Sequence, residues 1–133
     1  AWRGRYQPAM ARVRDGRRAW VVLDLLHREM LLATLAGFGI DPAALDEAAL
    51  DDWTDAWRRL DPWPDAVGGL TRLKARWPIA TLSNGSVAMM VALARHARLP
   101  WDAILGAEFA RAYKPDSRTY IATAEAVSYT HLT

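Results

Sequence analysis

The residues best suited to chemistry lie where a short apolar run stops abruptly. Residues 78–82 are followed by Ser83, Asn84, Gly85 and Ser86. The run is typical of a buried parallel strand and the stretch after Ser86 of a helix, so the pattern predicts a strand end that meets a helix start. A hydroxyl, an amide and the N–H groups of a helix N-terminus suit the binding of a carboxylate or phosphate oxygen. The same residue types are also common in turns for backbone reasons alone.

A second candidate, Lys114, lies further along the chain in Tyr113-Lys114-Pro115-Asp116. Pro115 favours an extended backbone at Lys114, and Asp116 can cap the helix that follows. A lone lysine is most often a solvated surface charge. Because one helix and one strand separate Lys114 from Ser83, however, we expect Lys114 at the neighbouring strand end. The combination is more specific than either part.

The elements that precede these residues are predicted to be helical. Tyr6 begins an apolar stripe at helical spacing that is interrupted at Asp15-Gly16, and a second helix is expected from about Trp20 to Phe38. Asp41-Pro42 is a good start for a third helix. The first sixty residues therefore contain no predicted strand.

The pattern changes after Asp61, where Pro62 and Pro64 interrupt any helix. A helix to Pro78, the strand ending at Ser83, a helix over residues 87–97, a strand over residues 104–107 and a last helix are then predicted. This alternation is typical of a parallel α/β sheet, although a doubly wound domain usually has more than two strands.

Composition excludes several classes of site. The chain has 133 residues, of which 52% are hydrophobic, and no cysteine, which excludes disulfides, a thiolate nucleophile and a cysteine zinc site. His27, His96 and His131 are too scattered for a histidine metal site. No apolar run reaches the roughly 18 residues of a membrane span, and the N-terminus lacks the apolar core of a signal peptide. The expected location is cytoplasmic, without a membrane partner.

The net charge of +2 comes from arginine, which is concentrated in the first eighteen residues. The arginines there are Arg3, Arg5, Arg12, Arg14, Arg17 and Arg18. A nucleic-acid surface and a solvated helix face both fit this cluster. No aromatic stacking pattern accompanies it, so we expect no nucleic-acid partner.

Three stretches together resemble a known family. Thr81–Gly85, Trp101–Glu108 and Tyr113–Asp116, with Tyr120 following, are similar to the haloacid dehalogenase superfamily and, within it, to the L-2-haloacid dehalogenase branch. The resemblance covers about residues 60–126. It implies a Rossmann-like α/β core with a helical cap. In this chain, residues 61–127 are expected to form a partial core with an incomplete parallel sheet, and residues 1–60 an N-terminal helical cap.

The resemblance also implies a mechanism. An aspartate at the end of the first core strand attacks the substrate, and water hydrolyses the aspartyl ester. Ser83 and Asn84 match the motif that holds the substrate anion, Lys114 matches the lysine of the third motif, and Tyr120 resembles an aromatic residue near the substrate. The dehalogenases need no cofactor, whereas the related phosphatases require Mg²⁺. The expected partner is a small anionic substrate, and a homodimer is left open.

The chain departs from the family at several positions. It lacks the nucleophile motif, an aspartate closely followed by Gly-Thr, and the acidic fourth motif. Asp24 is interpreted as an ordinary helix residue, and neither Arg12 nor Arg14 matches the cap arginine well enough to take its role. We therefore expect a sequence truncated at both ends, with residues 128–133 as a non-native tail. The alternatives are a magnesium-dependent phosphatase and a helical interaction module without enzymatic activity.

Overall fold

The computed structural model describes residues 1–127. Contacts between Cα atoms divide the chain into two compact units, Ala1–Ala56 and Trp57–Thr133. The predicted tail, residues 128–133, lies outside the described residues. The predicted boundary between cap and core at residue 60 stays a prediction.

The first unit is built from helices. Its α-helices are α1 (Tyr6–Arg14), α2 (Leu23–Gly37) and α3 (Glu47–Thr54). Short 3-10 helices cover Arg3–Arg5, Pro42–Ala44 and Asp55–Arg58. The last of these continues past residue 56, where the first unit ends. The second helix begins later than predicted because Val22 is extended. Asp41 caps the 3-10 turn rather than an α-helix, since its Oδ1 accepts the N–H of Ala43 at 3.0 Å.

The core of the first unit lies between α2 and α3. Leu31, Leu35 and Leu50 are buried together, with Trp2 and Leu45 among the side chains packed on them. Such burial contributes roughly 1.5–3 kcal/mol for each large apolar side chain. The packing therefore explains why these short helices are stable here.

One histidine is buried in the first unit. His27 is only 3% exposed, and its ring lies 6.4 Å from that of Trp2 and 6.2 Å from that of Tyr6. Burial lowers the pKa of His27 from 6.5 to about 4, against the opposing effect of the Asp24 carboxylate. His27 is therefore neutral in the folded protein at pH 7.

Arginines at the start of the chain contact groups of their own unit. Arg5 donates to the hydroxyl of Thr34 and to a backbone carbonyl, Arg17 pairs with Asp15, and Arg18 makes a bidentate pair with Glu29 at 2.5 and 2.7 Å. The hydrogen bond from Arg18 lowers the pKa of Glu29. These contacts favour the helix-face interpretation of the cluster over a nucleic-acid surface.

The second unit contains four described α-helices. They are α4 (Ala66–Lys74), α5 (Val87–Ala97), α6 (Ala107–Ala110) and α7 (Ser117–Ala126). The bounds predicted for α5 are confirmed. Ser86 explains its start, because its backbone is extended and its Oγ accepts the N–H of Met89 at 3.0 Å.

The two predicted strands are represented by a pair of extended segments. Within residues 1–127 no regular strand forms; two isolated parallel bridges join Ala80 to Ala103 and Ser83 to Gly106. The strand predicted over residues 104–107 was wrong in its bounds, since pairing begins earlier and Ala107 already belongs to α6. A larger parallel sheet stays a prediction.

A side chain replaces part of the backbone ladder between the segments. The hydroxyl of Thr81 donates to the carbonyl of Leu105 at 2.8 Å and accepts its N–H at 3.0 Å. Thr81 N–H donates to the Ala103 carbonyl at 3.1 Å. Because a hydroxyl stands where a regular ladder has backbone groups, the pairing appears as separate bridges, and Thr81, 4% exposed, holds the segments in register.

Candidate active site

The turn Ser83–Ser86 connects the first extended segment to α5. Ser83 and Asn84 are half-buried, whereas Gly85 and Ser86 are buried. The Oγ of Ser83 accepts the N–H of Gly85 at 3.0 Å. This bond orients the hydroxyl and leaves its proton to donate, which suits a serine that contacts an anionic oxygen.

A glycine allows the second segment to approach this turn. Gly106 has φ 141° and ψ −141°, a backbone conformation reserved for glycine. A Cβ there would lie 2.1 Å from the carbonyl oxygen of Ser83 and 2.6 Å from its nitrogen. Directly after it, Ala107 N–H donates to that carbonyl at 2.8 Å. The backbone of Ser83 is thus held by close contact with residues 106 and 107.

The structure brings Lys114 to the same turn, as the strand-end prediction required. Its backbone N–H donates to the Oδ1 of Asn84 at 2.8 Å, and its Nζ donates to the carbonyl of Leu82 at 2.6 Å. Both ends of the lysine therefore contact the segment that carries Ser83. The arrangement fixes Lys114 to the segment that ends in a hydroxyl and an amide, and these residue types together favour an anion.

Buried groups position the loop that carries Lys114. Tyr113 is 1% exposed and Ala112 is also buried. The hydroxyl of Thr119, which is itself fully buried, donates to the carbonyl of Ala112 at 2.6 Å. Asp116 caps α7 as predicted, since its Oδ1 accepts the N–H of Arg118 at 2.9 Å. Hydrogen bonds from Arg118 lower the pKa of Asp116 to about 2.

The start of α5 differs from the expectation of free N–H groups. Glu108 accepts the N–H of Val87 at 2.5 Å, and Ser86 Oγ accepts that of Met89. Two N–H groups of the helix start are therefore bound to side chains of the protein itself. An anion is therefore not expected at these two groups, and anion binding by Ser83 and Asn84 stays a prediction.

The remaining candidates stand as follows. Tyr120 lies on α7, is 45% exposed and follows the buried Thr119, so a role near a substrate stays a prediction. Asp24 lies in the first turn of α2, where a helix residue was predicted. Arg12 and Arg14 lie in the last turn of α1, and the cap arginine stays unassigned.

Residues 1–127 contain no group of three acidic, histidine or cysteine side chains placed to hold a metal ion. None of the described helices is long and apolar enough to cross a bilayer. The cofactor prediction is not tested by either observation.

Known proteins are similar to this chain in sequence and in structure. No protein-family model matches the chain. An (S)-2-haloacid dehalogenase of Xanthobacter autotrophicus is 37% identical over 105 residues, which are 77% of this chain and 40% of that protein. A solved defluorinating L-2-haloacid dehalogenase superposes with a TM-score of 0.93 at 46% identity, covering 96% of this chain and 52% of the other.

The chain is L-2-haloacid dehalogenase-like in sequence and in fold. The resemblance predicted from the sequence is thereby confirmed. A solved L-2-haloacid dehalogenase from X. autotrophicus, described with chloropropionic acid covalently bound, gives a TM-score of 0.83 at 33% identity over 96% of this chain and 51% of that one. The chain thus spans about half the length of these solved dehalogenases, and its fold is that of the haloacid dehalogenase superfamily.

Sequence reasoning missed four residues that shape this dehalogenase-like site. They are Thr81, Gly106, Glu108 and Thr119. Gly106 gave a usable signal, because a glycine between apolar residues in a strand-like segment often marks a close backbone approach. Thr81 and Glu108 lie in stretches that carry the resemblance, but neither they nor Thr119 indicate from residue type which backbone group they bind.

Proposed function

We propose that this chain forms part of an enzyme that hydrolyses the carbon–halogen bond of a small 2-haloalkanoic acid. The observation that carries the proposal is the attachment of Lys114 to the Ser83–Asn84 turn in an L-2-haloacid dehalogenase-like chain. The description of a solved relative with chloropropionic acid covalently bound supports a covalent intermediate.

The proposed reaction has two steps. An aspartate outside these 133 residues attacks C2 of the substrate, so that a carbon–oxygen bond forms, the carbon–halogen bond breaks and halide leaves with the bonding electrons. Water then attacks the aspartyl ester. This step yields the 2-hydroxy acid, regenerates the carboxylate and releases one proton.

Residues of this chain would bind and orient the reactants. The hydroxyl of Ser83 donates to the substrate carboxylate, and Asn84 donates from its amide nitrogen, since its Oδ1 accepts from Lys114. The ammonium of Lys114 favours the ionised form of the attacking carboxylate. Tyr120 is proposed to line the substrate's apolar side.

The test is chloride release from (S)-2-chloropropionate by the complete protein that contains this chain. We expect release that persists in EDTA. Metal-dependent phosphate release from a phosphomonoester, without chloride release, would instead identify the magnesium-dependent phosphatase. Salt-sensitive binding of a macromolecule by residues 1–60, with no turnover of either substrate, would identify an interaction module. The comparisons favour neither alternative.

Two substitutions test the assigned roles. Lys114→Ala should reduce kcat by about a thousand-fold without unfolding the protein, a loss of the size seen when one preorganised donor is removed. Ser83→Ala should raise KM about ten-fold, because a hydrogen bond to a charged group is worth roughly 1.5–3 kcal/mol. The matched control is Lys74→Ala, because Lys74 binds Asp102 and the Pro100 carbonyl rather than the turn. Near-normal turnover by Lys114→Ala would remove Lys114 from the mechanism.

The absence of a cofactor, the homodimer and the cytoplasmic location stay predictions. Gel filtration with light scattering of the complete protein tests the homodimer. Full turnover after exhaustive dialysis against EDTA tests the cofactor.

A further inference from the structure

The turn that carries Ser83 and Asn84 is bound at both ends by two consecutive residues. At the first end, Ala107 N–H donates to the Ser83 carbonyl at 2.8 Å. At the other end, the Glu108 carboxylate accepts the N–H of Val87 at 2.5 Å. Residues 84–86 lie between these bonds, so the geometry of the turn depends on both.

Glu108 is well placed to hold the second end. Val87 is the first residue of an eleven-residue helix, where the partial positive charge of the helix start favours a carboxylate. The bond is also charge-assisted, which makes it roughly twice as strong as a neutral one. Removing the carboxylate would therefore release the start of α5 from the residues that hold Ser83.

The backbone around Glu108 is itself held in place. The preceding Ala107 is fully buried, and Gly106 lies in close backbone contact with Ser83. Arg111 ends the short helix α6 in a left-handed conformation, with its N–H donating to the carbonyl of Glu108 at 3.3 Å. Glu108 thus reaches α5 from a segment already bound to the turn.

We infer that Glu108 is a positioning residue, which sets the Ser83–Asn84 turn for the anionic substrate through its hydrogen bond to Val87. This inference rests on the proposed function. Glu108 makes no contact with the substrate in this scheme. It acts through the backbone of the turn.

Two variants of the complete protein separate the bond from the charge. Glu108→Ala removes both, and Glu108→Gln keeps an oxygen acceptor for Val87 but removes the charge. Loss of a carboxylate near the site should by itself lower KM for an anion, because it removes a like charge. We expect KM for (S)-2-chloropropionate to rise about ten-fold in Glu108→Ala with little change in kcat, and to stay unchanged or fall in Glu108→Gln. Ten-fold corresponds to about 1.4 kcal/mol.

The control and a second measurement make the test decisive. Glu125→Ala makes the same substitution at an exposed position on α7, and its KM should equal that of the wild type. Amide hydrogen exchange at Val87 should accelerate in Glu108→Ala and remain slow in Glu108→Gln and Glu125→Ala.

Two outcomes would overturn the inference. One is an unchanged KM or unchanged Val87 exchange in Glu108→Ala. The other is Glu108→Gln behaving like Glu108→Ala, which would make the charge rather than the hydrogen bond responsible. If the wild type releases no chloride, the proposed function fails, and faster exchange in Glu108→Ala would still identify the bond as the constraint on the turn.

Discussion

Replacing Gly106 by alanine should disturb both the stability of the protein and the position of Ser83. The new Cβ would lie 2.1 Å from the Ser83 carbonyl oxygen, where ordinary contact begins at 3.4 Å. Its neighbours are backbone atoms, which cannot rotate away as a side chain would. The two segments must separate by about an ångström, and the bonds of Ser83 to residues 105 and 107 weaken.

The magnitude follows from two effects. A non-glycine residue at a backbone conformation of this kind costs about 1–3 kcal/mol, and overpacking adds about 1–3 kcal/mol. We expect the free energy of unfolding to fall by about 3 kcal/mol or more. Urea unfolding of the complete protein, followed by circular dichroism, measures it.

Gly16→Ala provides a matched control. Gly16 also has a positive φ, of 72°, but a Cβ there would meet no atom within 4 Å. This variant carries a conformational cost of about 1–2 kcal/mol without a steric clash. A larger loss in Gly106→Ala than in Gly16→Ala therefore reflects the clash together with the stricter backbone conformation of Gly106. Equal destabilisation in both, together with an unchanged KM in Gly106→Ala, would refute the close approach described at Ser83.

Two further predictions concern buried polar groups. Thr81→Val keeps the shape of the side chain but leaves the N–H of Leu105 without its acceptor, so the free energy of unfolding should fall by about 1–3 kcal/mol. Thr81→Ser keeps the hydroxyl and should retain most of the stability. Equal stability of the valine variant and the wild type would contradict this prediction. The pKa of His27 is lower in the folded protein, about 4, than its ordinary value of 6.5, so the unfolded state binds the proton more readily and stability should fall as the pH drops from 6.5 towards 4. Between pH 7.5 and 5 the free energy of unfolding should fall by about 2 kcal/mol more in the wild type than in His27→Gln. Urea unfolding of both proteins at each pH measures this difference. Equal dependence of the two unfolding free energies on pH would contradict the lowered pKa.

The parts of the site that local pattern determines were predictable. The stop of the apolar run at Ser83, the start of α5 after Ser86 and the capping of α7 by Asp116 follow from residue type and spacing alone. The approach of Lys114 to the turn was also predictable, because parallel segments bring their carboxyl ends to the same edge.

The parts that depend on partners distant in sequence were not predictable. A serine or threonine hydroxyl gives no sign of the backbone group it will bind, so the link from Thr81 to Leu105 was invisible. The sequence likewise could not reveal that Glu108 occupies the start of α5, since that contact joins residues 21 positions apart. Asp41 gave a correct capping signal but could not distinguish a 3-10 turn from an α-helix.

The double attachment of Lys114 has a consequence for protein engineering. Its backbone N–H binds Asn84 and its Nζ binds the Leu82 carbonyl. The loop that carries Lys114 and the Ser83–Asn84 turn should therefore be transferred together. Transplanting only the serine-asparagine turn into another scaffold would leave the lysine behind. A successful graft must carry both loops, together with the glycine that lets them meet.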